Sequence, residues 1–153
     1  MPGSGWKKNN RRMSAIFFAI KGVIITVAGL AAVSAWTDDT TINGKRISLL
    51  PGFHMAVYAQ VPGARTLTTA RELGAIFVGT QDQDIYAILD PDLDGNPGQP
   101  IKIKSGLNAP HGVAWHGSHL YVAERDRVLR FRGEAIEDII AAPPEVVFDR
   151  LPN

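Results

Sequence analysis

Cysteine is missing from all 153 residues. Its absence excludes disulfides, thiol nucleophiles, zinc–cysteine clusters and haem-attachment motifs. An exported chain of this kind must be held by its core, by a metal or by partners. Acidic residues are missing from the first 37 positions, Asp38 being the first. Lys7, Lys8, Arg11, Arg12 and Lys21 lie in that stretch, which leaves eleven basic against all fifteen acidic residues in the remainder, a net charge of −4. Such a body has no basic stripe to grip phosphates, so nucleic acid is not expected as a partner. A Gly-x-Gly-x-x-Gly loop, a P-loop and a nucleophile elbow are also missing.

What the first 36 residues do hold is the basic cluster followed by apolar runs at 13–20 and 22–35, with Lys21 between them. Val33-Ser34-Ala35 offers the small residues of a signal-peptidase site, with Trp36 first in the mature chain. Taken whole, 13–36 is also long enough to cross a bilayer as a helix, for which about 20 mostly apolar residues suffice. Lys21 would cost such a span roughly 2.5–3.5 kcal/mol at most. A cleaved signal, an uncleaved membrane anchor and a buried soluble helix all remain open. The first two keep the N-terminus cytoplasmic and predict an exported body, periplasmic or otherwise extracytoplasmic, secreted or anchored to the inner membrane.

Residues 37–48 are polar and turn-rich, a linker or small hairpin around Asn43-Gly44. The rest, 49–153, is written twice. Arg65-Thr66-Leu67, Gly74-Ala75-Ile76-Phe77-Val78-Gly79 and Asp84-Ile85-Tyr86-Ala87-Ile88 are answered by His111-Gly112-Val113, Ser118-His119-Leu120-Tyr121-Val122-Ala123 and Arg127-Val128-Leu129-Arg130-Phe131. Phe77 to Tyr121 is 44 positions and Ile85 to Val128 is 43. Alternating patterns predict strands at 54–59, 66–70, 75–80, 85–89, 101–104, 112–115, 120–124, 128–132 and 146–148. A helical spacing over 134–142 is stopped by Pro143-Pro144. A period of about 40–50 residues built of short strands predicts propeller blades. The expected fold is therefore all-β, a partial β-propeller of about two blades preceded by an N-terminal hydrophobic helix. Two blades leave a sheet face and strand edges open, so a completing polypeptide or self-association is expected.

The runs Leu50-Pro51-Gly52-Phe53, Pro62-Gly63-Ala64-Arg65-Thr66-Leu67, Phe77-Val78-Gly79-Thr80 and Gly106-Leu107-Asn108-Ala109-Pro110-His111-Gly112-Val113-Ala114 resemble the pyrroloquinoline quinone (PQQ)-dependent sugar dehydrogenases. The branch is that of the sorbosone dehydrogenases. Leu120-Tyr121-Val122-Ala123-Glu124, Ala142-Pro143-Pro144-Glu145 and Val147-Phe148-Asp149-Arg150-Leu151-Pro152 extend the likeness over 49–153. The resemblance implies a six-bladed propeller with PQQ and calcium near its axis. It also implies hydride transfer from a sugar or sugar aldehyde, with a histidine as base. That histidine and most cofactor ligands follow the Asp-x-Leu-Pro region in the family. The resemblance thus covers an N-terminal part, without a catalytic residue, that neither binds the cofactors nor turns over alone. The alternatives are a non-enzymatic binding or assembly module and a gluconolactonase-like metal hydrolase.

Arg65 and His111 open the first strand of each unit. In the resembling enzymes they would face the cofactor. An Arg fork suits a quinone carboxylate, and a His can donate a hydrogen bond or accept a proton. Either could equally serve the loop backbone where the units meet. Asp90, Asp92 and Asp94, followed by Gly95, reproduce the first half of a calcium loop. Position 12 is Ile101, so the second half fails, and turn chemistry alone also explains the composition. His116 and His119 flank a hairpin turn without a paired carboxylate, which argues against a transition metal. Residues 124–127 and the pair Arg130 and Arg132 read as solvated charge.

Overall fold

The computed structural model describes residues 16–20, 23–29, 39–42, 44–50, 53–92 and 94–151. The basic cluster at 7–12, Val33-Ser34-Ala35 and Trp36 lie outside them. The apolar leader is not the expected helix. Ile16–Ile20 forms β1 and Val23–Gly29 forms β2, paired antiparallel with Ile20 opposite Val23. Their sequences, IFFAI and VIITVAG, are rich in the β-branched and aromatic residues that fit a pleated strand. Lys21-Gly22 divides them in the sequence. No helix among the described residues is long and apolar enough to cross a membrane.

Asp39–Ile42 (β3) and Lys45–Ser48 (β4) make a two-stranded hairpin in which Gly44 takes φ +72°. Phe53–Gln60 (β5) pairs with β2 to complete a three-stranded sheet in the order β1-β2-β5. Ala64–Ala70 (β6), Ala75–Thr80 (β7), Ile85–Leu89 (β8) and Ile101–Lys104 (β9) form a four-stranded antiparallel meander. Gly112–His116 (β10), His119–Ala123 (β11), Arg127–Arg132 (β12) and Glu145–Asp149 (β13) form a second one. Ile136–Ala141 (α1) connects β12 to β13.

The sequence period is therefore a period of meanders, and the partial-propeller expectation is corrected. The structure is mostly sheet, 53% strand and 8% helix, and among the described residues the strands divide into small antiparallel sheets that form no closed ring. On the face of the first meander turned away from the second, Tyr58, Ala59 and Val61 pack on Ala64, Ile76, Val78 and Ile88. A repeat of short strands dictates the meander; it does not dictate what covers its outer face.

The other face of the first meander carries the main core. Phe77, Ile85, Ala87 and Ile103 meet Leu120, Val122, Leu129, Phe131 and the α1 residues Ile136 and Ile139. Burying each of the larger side chains contributes roughly 1.5–3 kcal/mol. β7 lies between both clusters, and all six of its residues are buried. This accounts for its unbroken Ala-Ile-Phe-Val-Gly-Thr run, where a strand with one wet face would alternate. On β11 only Leu120 and Val122 are fully buried, the alternation of a strand with one covered face.

β10 crosses close over β6 and β7. The Trp115 amide donates to Thr68 Oγ1 at 3.1 Å, the Trp115 indole N–H donates to Glu72, and the Trp115 and Phe77 rings lie 5.5 Å apart. Gly79 sits beneath this crossing, where a Cβ would fall 2.7 Å from the carbonyl oxygens of both Pro110 and His111. α1 begins where the Asp138 carboxylate accepts from the Glu134 and Ala135 amides. It ends where Lys104 Nζ donates to the Ile140 and Ala142 carbonyls at 2.9 and 2.7 Å. Arg130 does not simply face water, since it pairs through two nitrogens with Glu145 of β13 at 2.7 and 2.5 Å.

Gly79→Ala must push backbone apart. We expect it to destabilise by about 1–3 kcal/mol in denaturant unfolding. Gly98→Ala, whose added methyl would meet only Leu89 O at 3.7 Å, should change stability little.

Candidate functional site

The crossing of β10 over β6 brings Arg65 and His111 to one end of the two meanders. The Thr66 hydroxyl, one residue beyond Arg65, donates to the His111 carbonyl. Both Arg65 and His111 are exposed. The imidazole turns back on its own loop, with Nδ1 3.0 Å from the Ala109 carbonyl. That contact favours the loop-supporting role of His111 over a cofactor-facing one.

At the same end, three loops are tied together by their backbones. The Leu107 amide donates to Gln83 O at 3.0 Å, Ala109 to Asp82 O at 3.1 Å, and Arg125 to Asn108 O at 3.1 Å. Gln81 is tied to Gly63 O at 3.0 Å, and Gly63 (φ +63°) leaves no room for a Cβ beside the Asp82 carboxylate. The result is an open cleft of about 650 Å³ whose lining includes Gln81, Asp82, Gln83, Asp84, Lys102, Asn108 and Arg125. Asp84 is already engaged by Lys102 at 2.7 Å, and that hydrogen bond raises the lysine's pKa above its ordinary value. The exposed Gln81, Asp82, Gln83, Asn108 and Arg125 side chains combine acceptors, donors and amides that do both. They suit a ligand carrying several hydroxyl groups. A second open depression, about 520 Å³ beside α1, holds none of the candidate residues.

Glu124 supports the cleft from below and corrects the solvated-charge reading of 124–127. It is 2% exposed. Its carboxylate accepts from the Asn108 amide at 2.7 Å and from Arg127. The Asn108 side chain in turn donates to Asp126 at 3.3 Å.

The acidic triad lies elsewhere. Ala64 stands opposite Thr80 at the Arg65 end, whereas Ala70 stands opposite Ala75, which stands opposite Leu89, the residue before Asp90. The two ends are separated by the length of β6, roughly 20 Å at ~3.3 Å per residue. Asp90 is buried, Asp92 and Asp94 are exposed, and one ligand oxygen from each falls within 4.8 Å of the others. The Tyr58 hydroxyl donates to Asp90 Oδ2 at 2.6 Å; burial first, then that carboxylate, pushes its pKa up. Asn96 donates to both Asp94 oxygens, at 2.8 and 3.1 Å, and holds that carboxyl below its ordinary 3.8. Arg65 and His111 therefore lie at the opposite end of the first meander from the acidic triad.

No family model, no curated protein and no solved structure matches this chain significantly. The likeness to the sugar dehydrogenases stands on the sequence runs alone.

Glu124→Ala would remove the buried carboxylate that accepts from the Asn108 amide and from Arg127. We expect a loss of about 1–3 kcal/mol in global stability. Hydrogen exchange should speed up at Leu107, Asn108 and Ala109 ahead of the strands.

Proposed function

We propose that the chain holds the sugar in an oxidoreductase of the PQQ-dependent sugar dehydrogenase type. The observation that carries this reading is the polar cleft, with Arg65 and His111 at its end of the molecule. Asp82 accepts from sugar hydroxyls, Arg125 donates to them, and Gln81, Gln83 and Asn108 do either. The cross-tied loops fix these groups before the ligand arrives, which reduces the ordering cost of binding. No catalytic base or quinone–calcium pair is assigned to these residues, so the chain binds without oxidising.

Calorimetry of the full chain with an aldose or a 2-keto aldehyde sugar should give millimolar affinity, about −4 kcal/mol. Asp82→Ala and Arg125→Ala should each weaken it about tenfold, the value of roughly one hydrogen bond. With PQQ and calcium added, dye reduction should stay at background. Absence of sugar binding, or affinity unchanged in both variants, would remove this function.

One observation favours a second reading, an assembly module. β13 is an edge strand exposed along its whole length, with Val146, Val147 and Phe148 at 52, 47 and 54%. Such an edge is a template for another strand, and a second copy paired along β13 would cover it. Light scattering should then show a dimer that Val147→Lys with Phe148→Lys returns to monomer. A wild-type monomer at high concentration would exclude this reading.

A further inference from the structure

The loop from β8 to β9 contains a carboxyl oxygen that the fold leaves unsatisfied. Asp90 is 4% exposed, and its Oδ1 has no hydrogen-bond partner. Its other oxygen, Oδ2, accepts from the Tyr58 hydroxyl at 2.6 Å and from the Gly95 amide at 3.3 Å. A buried polar atom without a partner costs about 1–3 kcal/mol, and more where charge is involved. A fold retains such an atom readily when something else satisfies it. Asp92 and Asp94 bring two further carboxylates from the solvent side, with one oxygen from each of the three within 4.8 Å of the others. Three carboxylates so close repel one another unless a cation lies between them.

We propose that Asp90, Asp92 and Asp94 bind one divalent cation of calcium's size, at the end of the first meander opposite the sugar cleft. Oxygens on opposite sides of a calcium ion stand about 5 Å apart, against about 4 Å for magnesium. Carboxyl oxygens that all lie within 4.8 Å of one another leave room for the larger ion. Asp94 keeps lone pairs for the ion although both its oxygens accept from Asn96, because each carboxylate oxygen has two acceptor sites. Gly95, at φ +90°, gives the turn that returns its amide to Asp90. The Asp90 amide is held by Gly74 O at 2.8 Å, and the Tyr58 hydroxyl comes from β5. The cation thus braces three pieces at one point: the β8–β9 loop, the β6–β7 turn, and the strand that covers the outer face of the meander. Its role is structural and independent of the sugar-holding reading.

The test uses the full chain and two probes, calcium in thermal melts and terbium in luminescence. About 5 mM calcium exceeds the ~10⁻⁴–10⁻³ M range of extracellular calcium modules, and should raise Tm by about 3 °C or more. Magnesium at the same concentration should do less. Terbium, excited through tyrosine, should emit because Tyr58 touches the site, and calcium should quench that emission by competition. Both signals should disappear in Asp92→Asn plus Asp94→Asn, which alters only exposed side chains and leaves Asp90 in place. A Tm unmoved by calcium, or a calcium shift and terbium emission that persist in the double variant, would overturn the site.

Discussion

The close approach of β10 to β6 and β7 is the constraint on which the rest depends. Two backbones can come that near only where one has no side chain, and Gly79 lies directly below the Pro110 and His111 carbonyls. The crossing presses the meanders face to face, so that Phe77 reaches Trp115 and one core runs through both sheets to α1. It also sets the level at which the loops at 81–84 and 105–109 meet. Their backbone ties follow from the sheet packing, and the cleft follows from the ties.

The first meander, whose central strand β7 is buried on both faces, carries different chemistry at its two ends. One end carries hydrogen-bonding side chains spread around an open cleft, with Arg65 and His111 nearby. The other gathers three carboxylates around a buried, unsatisfied oxygen. The length of β6 separates these two ends.

Most of the strands were legible because each is short, alternates or is uniformly apolar, and is bounded by Gly, Pro or Asp. The helix expected of the leader gives way to strands for a physical reason: an apolar run summed over 13–36 has the length of a membrane helix. Its composition of Ile, Val, Phe and Thr, broken by Lys21-Gly22, is equally that of two strands. The propeller expectation took a local period as evidence of a global closure. Glu124 could have been found, since Leu120, Val122 and Glu124 continue one inward period, but its charge and its charged neighbours argued for solvent. The cleft residues had no sequence signal beyond turn composition, because only the packing of three loops, with Asn108 26 and Arg125 43 positions after Asp82, brings them together. The Asp90 triad was visible as a motif. What the sequence could not show was that one of its oxygens is buried and unpaired.

The most direct measurement is a chemical-shift map of the isotope-labelled full chain titrated with an aldose. The account predicts saturable shifts at Gln81, Asp82, Gln83, Asn108, Ala109 and Arg125, with the Asp90–Asp94 loop and β13 unmoved. Shifts confined to those latter segments, or no saturable shift anywhere, would contradict it.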